Sequence, residues 1–182
     1  ICSSANTGGA EKNILLIHNL VLKKRINSKI IFLRKTNKKK INFNKRKNFI
    51  FFNSKKIIFS LFKLLNYINK NNPDVVYSTT YSVNLICIIV KILSYKNFFL
   101  ITRESNNIFK KKFYSNFYEK ILLKFVFLYN FSDRIIAPSH TIFSQLKKIV
   151  LKKNKVLLIN NIIEFINDKK LLNSDKILIE KI

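Results

Sequence analysis

Along the chain, apolar runs of strand length alternate with longer runs of helical period. Residues 1–4 fit the tail of a first strand, and the turn Asn6-Thr7-Gly8-Gly9 follows it. From Ala10 the period changes. Ile14, Ile17 and Val21 fall on one helical stripe with Leu16 and Leu20 beside it, as an amphipathic helix requires. Lys23, Lys24 and Arg25 then fall in its last turn, where cations suit the helix dipole. Residues 29–33 fit a second strand, 34–48 a polar loop rich in Lys and Asn, and 49–52 a third strand. After Ser54, the residues Ile57, Leu61, Leu64, Leu65 and Ile68 form the stripe of a second helix, which Asn71-Asn72-Pro73 ends because proline cannot continue it. Residues 74–77 read as a buried strand opening into the loop Ser78-Thr79-Thr80, and 82–94 as a helix. A strand over 98–102 runs into the polar break 103–107, and 113–131 follows as a long amphipathic helix. A strand at 133–137, a helix at 139–150 and a strand at 156–159 complete the pattern, which weakens beyond Asn161.

This alternation implies right-handed βαβ crossovers and one Rossmann-like α/β fold, a parallel sheet with helices on both faces. Ligands of such sheets sit outside the carboxyl ends of the strands. Four polar loops share that rim: 6–9, 78–80, 103–107 and 138–140. No internal repeat is visible, so function is sought at the rim.

Composition changes the picture in three places. The 182 residues suffice for one α/β domain with a proper core and are too few for two large ones. Lys, Asn, Ile and Phe crowd out Ala, Gly and Pro, as an AT-rich coding sequence would favour. The net charge is +26, from 35 basic against 9 acidic residues. That field has three readings: a solvated basic surface, association with an anionic membrane leaflet, or nucleic-acid binding. The last is disfavoured, because the basic residues are spread rather than set in a stripe with interleaved aromatics.

Cys2 and Cys87 are the two cysteines and lie far apart in sequence. A disulfide framework or zinc site is therefore not expected, and a reducing compartment is. No run reaches the roughly 18 apolar residues of a membrane span, and no signal peptide is visible. The chain opens on Ile1 in mid-pattern and contains no Met, so its true start is expected upstream.

The candidate chemistry lies in the rim loops. Gly8-Gly9 stands between a strand and a helix, where two glycines allow a tight turn, or a ligand's close approach to unpaired helix amides. It is neither a Gly-x-Gly-x-x-Gly fingerprint nor a P-loop. Arg103 and Glu104 follow a buried strand; they are either a solvated loop pair or an Arg that pairs with phosphate or with Glu104, beside an acid that orients a sugar hydroxyl. Glu11 lies in the first turn of a helix, where its charge also complements the dipole. His18 reads as a surface or boundary histidine. His140 reads as the first turn of a helix capped by Ser139, or as a rim contact. Neither histidine has an assignable acid partner, so a Ser/His/Asp or Cys/His hydrolase is not expected.

Five segments in order carry a resemblance. Gly8-Gly9-Ala10-Glu11-Lys12 resembles the Gly-Gly-Ala-Glu-Arg start of glycosyltransferase family 4. Asn72-Pro73-Asp74-Val75-Val76-Tyr77-Ser78 resembles that family's Pro-Asp-Val-Val-His-Ser strand. Phe99-Leu100-Ile101-Thr102-Arg103-Glu104-Ser105-Asn106 resembles a variant of its next strand and loop, where many members carry a His. Ser132-Asp133-Arg134-Ile135-Ile136-Ala137-Pro138-Ser139 is similar to Ala-Asp-x-Ile-Ile-Ala-x-Ser. Lys155-Val156-Leu157-Leu158-Ile159-Asn160-Asn161 is similar to the element closing the family's first domain.

The resemblance implies a GT-B fold of two Rossmann-like domains, the first on the acceptor side and the second holding the nucleotide-sugar, with retaining transfer that needs no metal. Residues 1–161 would be the first domain and 162–182 the start of the linker. The donor-binding domain would be absent, leaving a truncated hexosyltransferase inactive alone. The expected catalytic residues are Arg103 and Glu104, and the expected substrate-binding residues Gly8, Gly9, Glu11, Ser78, Thr79, Ser105, Asn106 and Ser139. No cofactor is expected; the nucleotide-sugar is a substrate, and the other partner is a glycan or lipid-linked acceptor of cell-surface polysaccharide synthesis. The expected setting is cytoplasmic, peripheral on the inner membrane face. The competing expectation is a non-enzymatic, basic α/β module that binds nucleotide or nucleic acid.

Overall fold

The structure is a computed structural model that describes residues 1–5, 8–35, 48–105 and 125–160. In chain order the elements are α1 (Gly9–Lys23), β1 (Ile30–Arg34), β2 (Phe49–Ser54), a 3₁₀ turn (Ile57–Ser60), α2 (Leu61–Asn71), β3 (Val75–Thr79) and α3 (Tyr81–Leu93). There follow β4 (Phe99–Arg103), a 3₁₀ turn (Val126–Phe131), β5 (Arg134–Ala137), α4 (His140–Ile149), a 3₁₀ turn (Lys153–Lys155) and β6 (Val156–Leu158).

The helix ends follow local chemistry. Ser139 caps α4, its Oγ accepting the Ile142 N–H at 3.4 Å, and satisfies one of the orphan amides of the first turn. Asn72 ends α2 in the left-handed region (φ 43°) and donates its N–H to the Ile68 carbonyl. Asparagine tolerates that conformation, and Pro73 follows it.

All strand pairs are parallel, β1 with β2 and β3-β4-β5-β6 in series. The opening residues join the two sets. On one side the Cys2 N–H donates to the Ile31 carbonyl at 3.0 Å and the Leu33 N–H to the Cys2 carbonyl at 3.2 Å. On the other, the Ile1 nitrogen donates to the Tyr77 carbonyl and the Thr79 N–H to the Ile1 carbonyl at 3.3 Å. Across the molecule the order is therefore β2, β1, residues 1–4, β3, β4, β5, β6. The chain winds one way from residues 1–4 and later the other way, which makes that segment the switch point where such sheets open a crevice.

Side chains alternate across the strands. On one face Val76, Leu100, Ile135 and Ala137 pack with Leu64 and Ile68 of α2, Val83 and Ile86 of α3, and Ile142 and Leu146 of α4. On the other, Ile14 of α1 packs on Cys2, Ala5, Ile30 and Phe32. The expected cover on both faces holds over β1. Farther along, Val75, Phe99 and Leu157 remain exposed on that second face.

Several boundaries differ from the sequence pattern. Residues 1–4 form one bridge rather than a strand, because each edge is shared with a different neighbour. Ser78, Thr79 and Arg103, placed in loops by their polarity, complete β3 and β4 through register pairs Ser78↔Thr102 and Thr79↔Arg103. The buried face of α1 is Asn13, Ile14 and His18, whereas Leu20 is exposed. His18, expected at the surface or its boundary, is buried with its Nδ1 2.9 Å from Ser28 Oγ and its ring against Phe49. Lys24 and Arg25 lie beyond the helix end. Of the expected helix 113–131, the described end is the 3₁₀ turn, and residues 113–124 lie outside the described residues.

Candidate functional site

The switch point brings two segments to one edge. Ile1 is hydrogen-bonded between Tyr77 and Thr79, and Thr79 pairs with Arg103 in parallel register. The chain leaving residues 1–4 and the chain leaving β4 therefore emerge at the same carboxyl rim.

At the first of these, Gly8 is the N-cap of α1 and Gly9 its first residue. No glycine has a positive φ, so backbone freedom is not the reason for them. A Cβ on Gly8 would collide with the Glu11 carboxylate, which folds back over the helix start, whereas a Cβ on Gly9 would meet open space. Ser3 Oγ donates to Glu11 Oε1 at 3.3 Å. Glu11 thus both complements the helix dipole and occupies the position an anion would take. Hydroxyl groups suit this turn better than a phosphate does.

At the second segment, Arg103 is buried, and its Nη1 donates to Ser105 Oγ at 2.8 Å and Thr79 Oγ1 at 3.4 Å. The two hydroxyls lie 3.0 Å apart. Tyr77, two residues before Thr79 on the same face, has its hydroxyl pushed up to about 12 by burial, with Arg103 pulling the other way. Arg103 is therefore a cation set among hydroxyls at the mouth of the sheet.

Between the segments stands Thr80, the N-cap of α3, at φ 74° and ψ 142°. A β-branched residue avoids this region, at a cost of about 1–3 kcal/mol. Its Oγ1 is buried without a hydrogen-bond partner.

Glu104 lies elsewhere from its neighbour. It is fully buried, and its Oε2 accepts the Tyr129 O–H at 2.5 Å. Tyr129 in turn accepts from Asn84 Nδ2 at 3.0 Å, Asn84 Nδ2 also donates to the Arg103 carbonyl at 3.0 Å, and Ser78 Oγ donates to Asn84 Oδ1 at 2.8 Å. Burial and the Glu104 carboxylate raise the Tyr129 hydroxyl well above its ordinary value, so it stays a donor.

The sequence-derived candidates thus separate. Gly8, Gly9, Glu11, Thr79, Arg103 and Ser105 gather at the rim. Ser78 and Glu104 lie behind it with no exposed surface, which corrects the expectation that Glu104 faces a substrate. Ser139 spends its hydroxyl as the cap of α4, with His140 exposed in the first turn. Asn106 lies outside the described residues. Sequence reasoning passed over Asn84 and Tyr129, and named Thr80 as part of the rim loop 78–80 without singling it out. Asn84 had a signal, a lone amide in the apolar run Val83–Val90; Tyr129 had none. Among the described residues, no group of three or more His, Cys, Asp or Glu converges as a metal site would.

The family model of Glycosyltransferase Family 4 matches residues 7–165. No curated protein sequence matches the chain. Among solved structures, the lipopolysaccharide outer core galactosyltransferase WaaB in its apo form is similar, with a TM-score of 0.66 at 15% identity over 90% of this chain. That likeness speaks to the fold, and this chain spans 45% of that one's length.

Proposed function

The chain belongs to glycosyltransferase family 4, and on that premise we propose that residues 1–161 form the acceptor-side wall of a hexosyltransferase. In this reading a sugar passes from a nucleotide-sugar to a glycan or lipid-linked acceptor of cell-surface polysaccharide, at the inner face of a membrane. The supporting observation is the cluster Thr79–Arg103–Ser105 on the rim shared with Ser3 and Glu11. Arg103 would bind an anionic group of donor or acceptor through its planar fork, with Thr79 and Ser105 holding its orientation. Glu11 and Ser3 would take sugar hydroxyls, with open space beside Gly9. Glu104 acts from behind the wall, as a positioning residue rather than a group that touches substrate.

The charge developing on the leaving diphosphate must be met by preorganised donors, which often supply more of the rate enhancement than any other single effect. Among the described residues, the cluster of Thr79 and Ser105 holds a single guanidinium, that of Arg103, so we assign that task mainly to groups outside residues 1–161, with the donor as substrate and no separate cofactor. The chain alone is then inactive. Family membership favours this reading over a non-enzymatic basic module. Calorimetric titration of the chain with UDP-sugars tests it: the expected outcome is binding weaker than about 100 μM, an affinity below about 5.5 kcal/mol. Sub-micromolar binding would overturn the division of labour.

A further inference from the structure

The carboxyl edge of the sheet carries a second feature, one that the rim chemistry does not use. Where β2 ends, the 3₁₀ turn and the first turn of α2 expose Ile58 (53%), Phe59 (61%) and Phe62 (71%). The other side of the same segment is anchored: Ser60, Leu64 and Ile68 are buried, and Ile57 and Leu61 pack against the core. Three large apolar side chains are thus held outward by a rigid base.

Cations surround them. Lys55 and Lys56 precede the turn and are exposed, and exposed Lys63 donates from Nζ to the Phe52 carbonyl at 3.0 Å. Lys35 joins from the neighbouring strand, its N–H donating to the Ser54 carbonyl at 3.2 Å. No carboxylate lies in residues 48–73.

We propose that Ile58, Phe59 and Phe62, ringed by Lys35, Lys55 and Lys56, are the surface by which this chain seats on an anionic bilayer. The occupant follows from charge. A second copy of a chain with net charge +26 is repelled, whereas anionic headgroups are attracted at about 1 kcal/mol per lysine near the surface. Apolar side chains on a basic rim match an interfacial contact, in which aromatics enter the headgroup boundary while lysines stay among the phosphates. Among the described residues no helix is long and apolar enough to cross a membrane. Because the patch extends from the carboxyl end of β2, it faces the bilayer from the edge that also carries Thr79, Arg103 and Ser105. A lipid-linked acceptor would reach that edge without leaving the membrane.

The proposal rests on the inner-face setting given above and is independent of sugar transfer. Co-sedimentation of the whole chain with phosphatidylcholine vesicles, with and without phosphatidylglycerol, tests both. The parent should bind the anionic vesicles only. Phe59→Ser with Phe62→Ser should lower that binding at least about tenfold, and Lys55→Gln with Lys56→Gln on the order of fivefold per lysine. Leu151→Ser, at an 86% exposed apolar residue before β6 at the other end of the strands, should leave binding unchanged. All the substituted residues are exposed, and unchanged circular dichroism would confirm folding. No binding by the parent sinks the inner-face setting itself. Binding by the parent that survives the Phe59 and Phe62 changes, or falls equally with Leu151→Ser, overturns this surface alone. Assembly that depends on Phe59 and Phe62 without vesicles would assign the patch to a second copy and overturn the proposal.

Discussion

The two ends of β4 handle charge differently. At its amino end Asp133 accepts the Leu100 N–H at 2.6 Å and pairs with Lys91, and Lys91 Nζ also donates to the Phe98 carbonyl at 3.0 Å. Both charged side chains keep a quarter or so of their surface in water, 24% and 30%. At its carboxyl end Glu104, Tyr129, Asn84 and Ser78 have no exposed surface, and each relies on the next. Water can replace a lost partner at the first end and not at the second. The amino end is a fastening, whereas the carboxyl end is a shaped support whose errors are carried to Arg103 through its own carbonyl.

The sharpest way to break this contrast is Asn84→Leu, which keeps the approximate volume and strips partners from Ser78, Tyr129 and the Arg103 carbonyl. Each buried group left unsatisfied costs about 1–3 kcal/mol, so a loss of about 3 kcal/mol is expected in urea unfolding. Tyr129→Phe added to it should cost much less than on an unchanged background, because the two act in one network. A loss below about 1 kcal/mol, or simple additivity, would mean that the relay is not a unit.

Thr80→Gly should move stability the other way, by about 1 kcal/mol of gain. Glycine adopts positive φ without strain and leaves no unpaired hydroxyl behind, although it loses entropy on folding. A destabilised Thr80→Gly chain in the same unfolding measurement would remove the case for strain at this rim.

Asp133→Asn should have the smallest effect, about 1 kcal/mol, because water reaches this partly buried pair and an amide oxygen can still accept the Leu100 N–H. Burial pushes the Asp133 carboxyl up, but the hydrogen bonds from Lys91 and the Leu100 N–H outweigh it, and the folded value lies below the ordinary one. A lowered carboxylate stabilises the fold above its unfolded value, near pH 4, and that contribution is lost as pH falls through the folded value. The difference between parent and Asp133→Asn should thus be constant from pH 7 to about pH 5 and shrink below about pH 4. A difference that peaks in acid would have the wrong sign for this pair.

Much of the fold was legible without coordinates. Strand-length apolar runs, the helical stripe through Leu64 and Ile68, the Asn72-Pro73 stop and the Ser139 cap are local signals, each set by steric or hydrogen-bonding preferences within a few residues. Their alternation, with the segments resembling glycosyltransferase family 4, led to a parallel sheet, its carboxyl rim and the family. Polarity misled where a polar side chain is satisfied inside: Ser78, Thr79 and Arg103 looked like loop residues and finish strands.

What only the tertiary structure decided is which neighbour each polar group meets. In sequence Arg103 and Glu104 are a pair. In space the first reaches two rim hydroxyls, and the second a tyrosine 25 residues away on the far side of the sheet. Gly8 looked like part of a tight turn and proved to be room for the carboxylate of Glu11. Local pattern determines the elements because period and capping act over a few residues; the partners of buried charges depend on contacts between distant segments, which no short stretch of sequence contains.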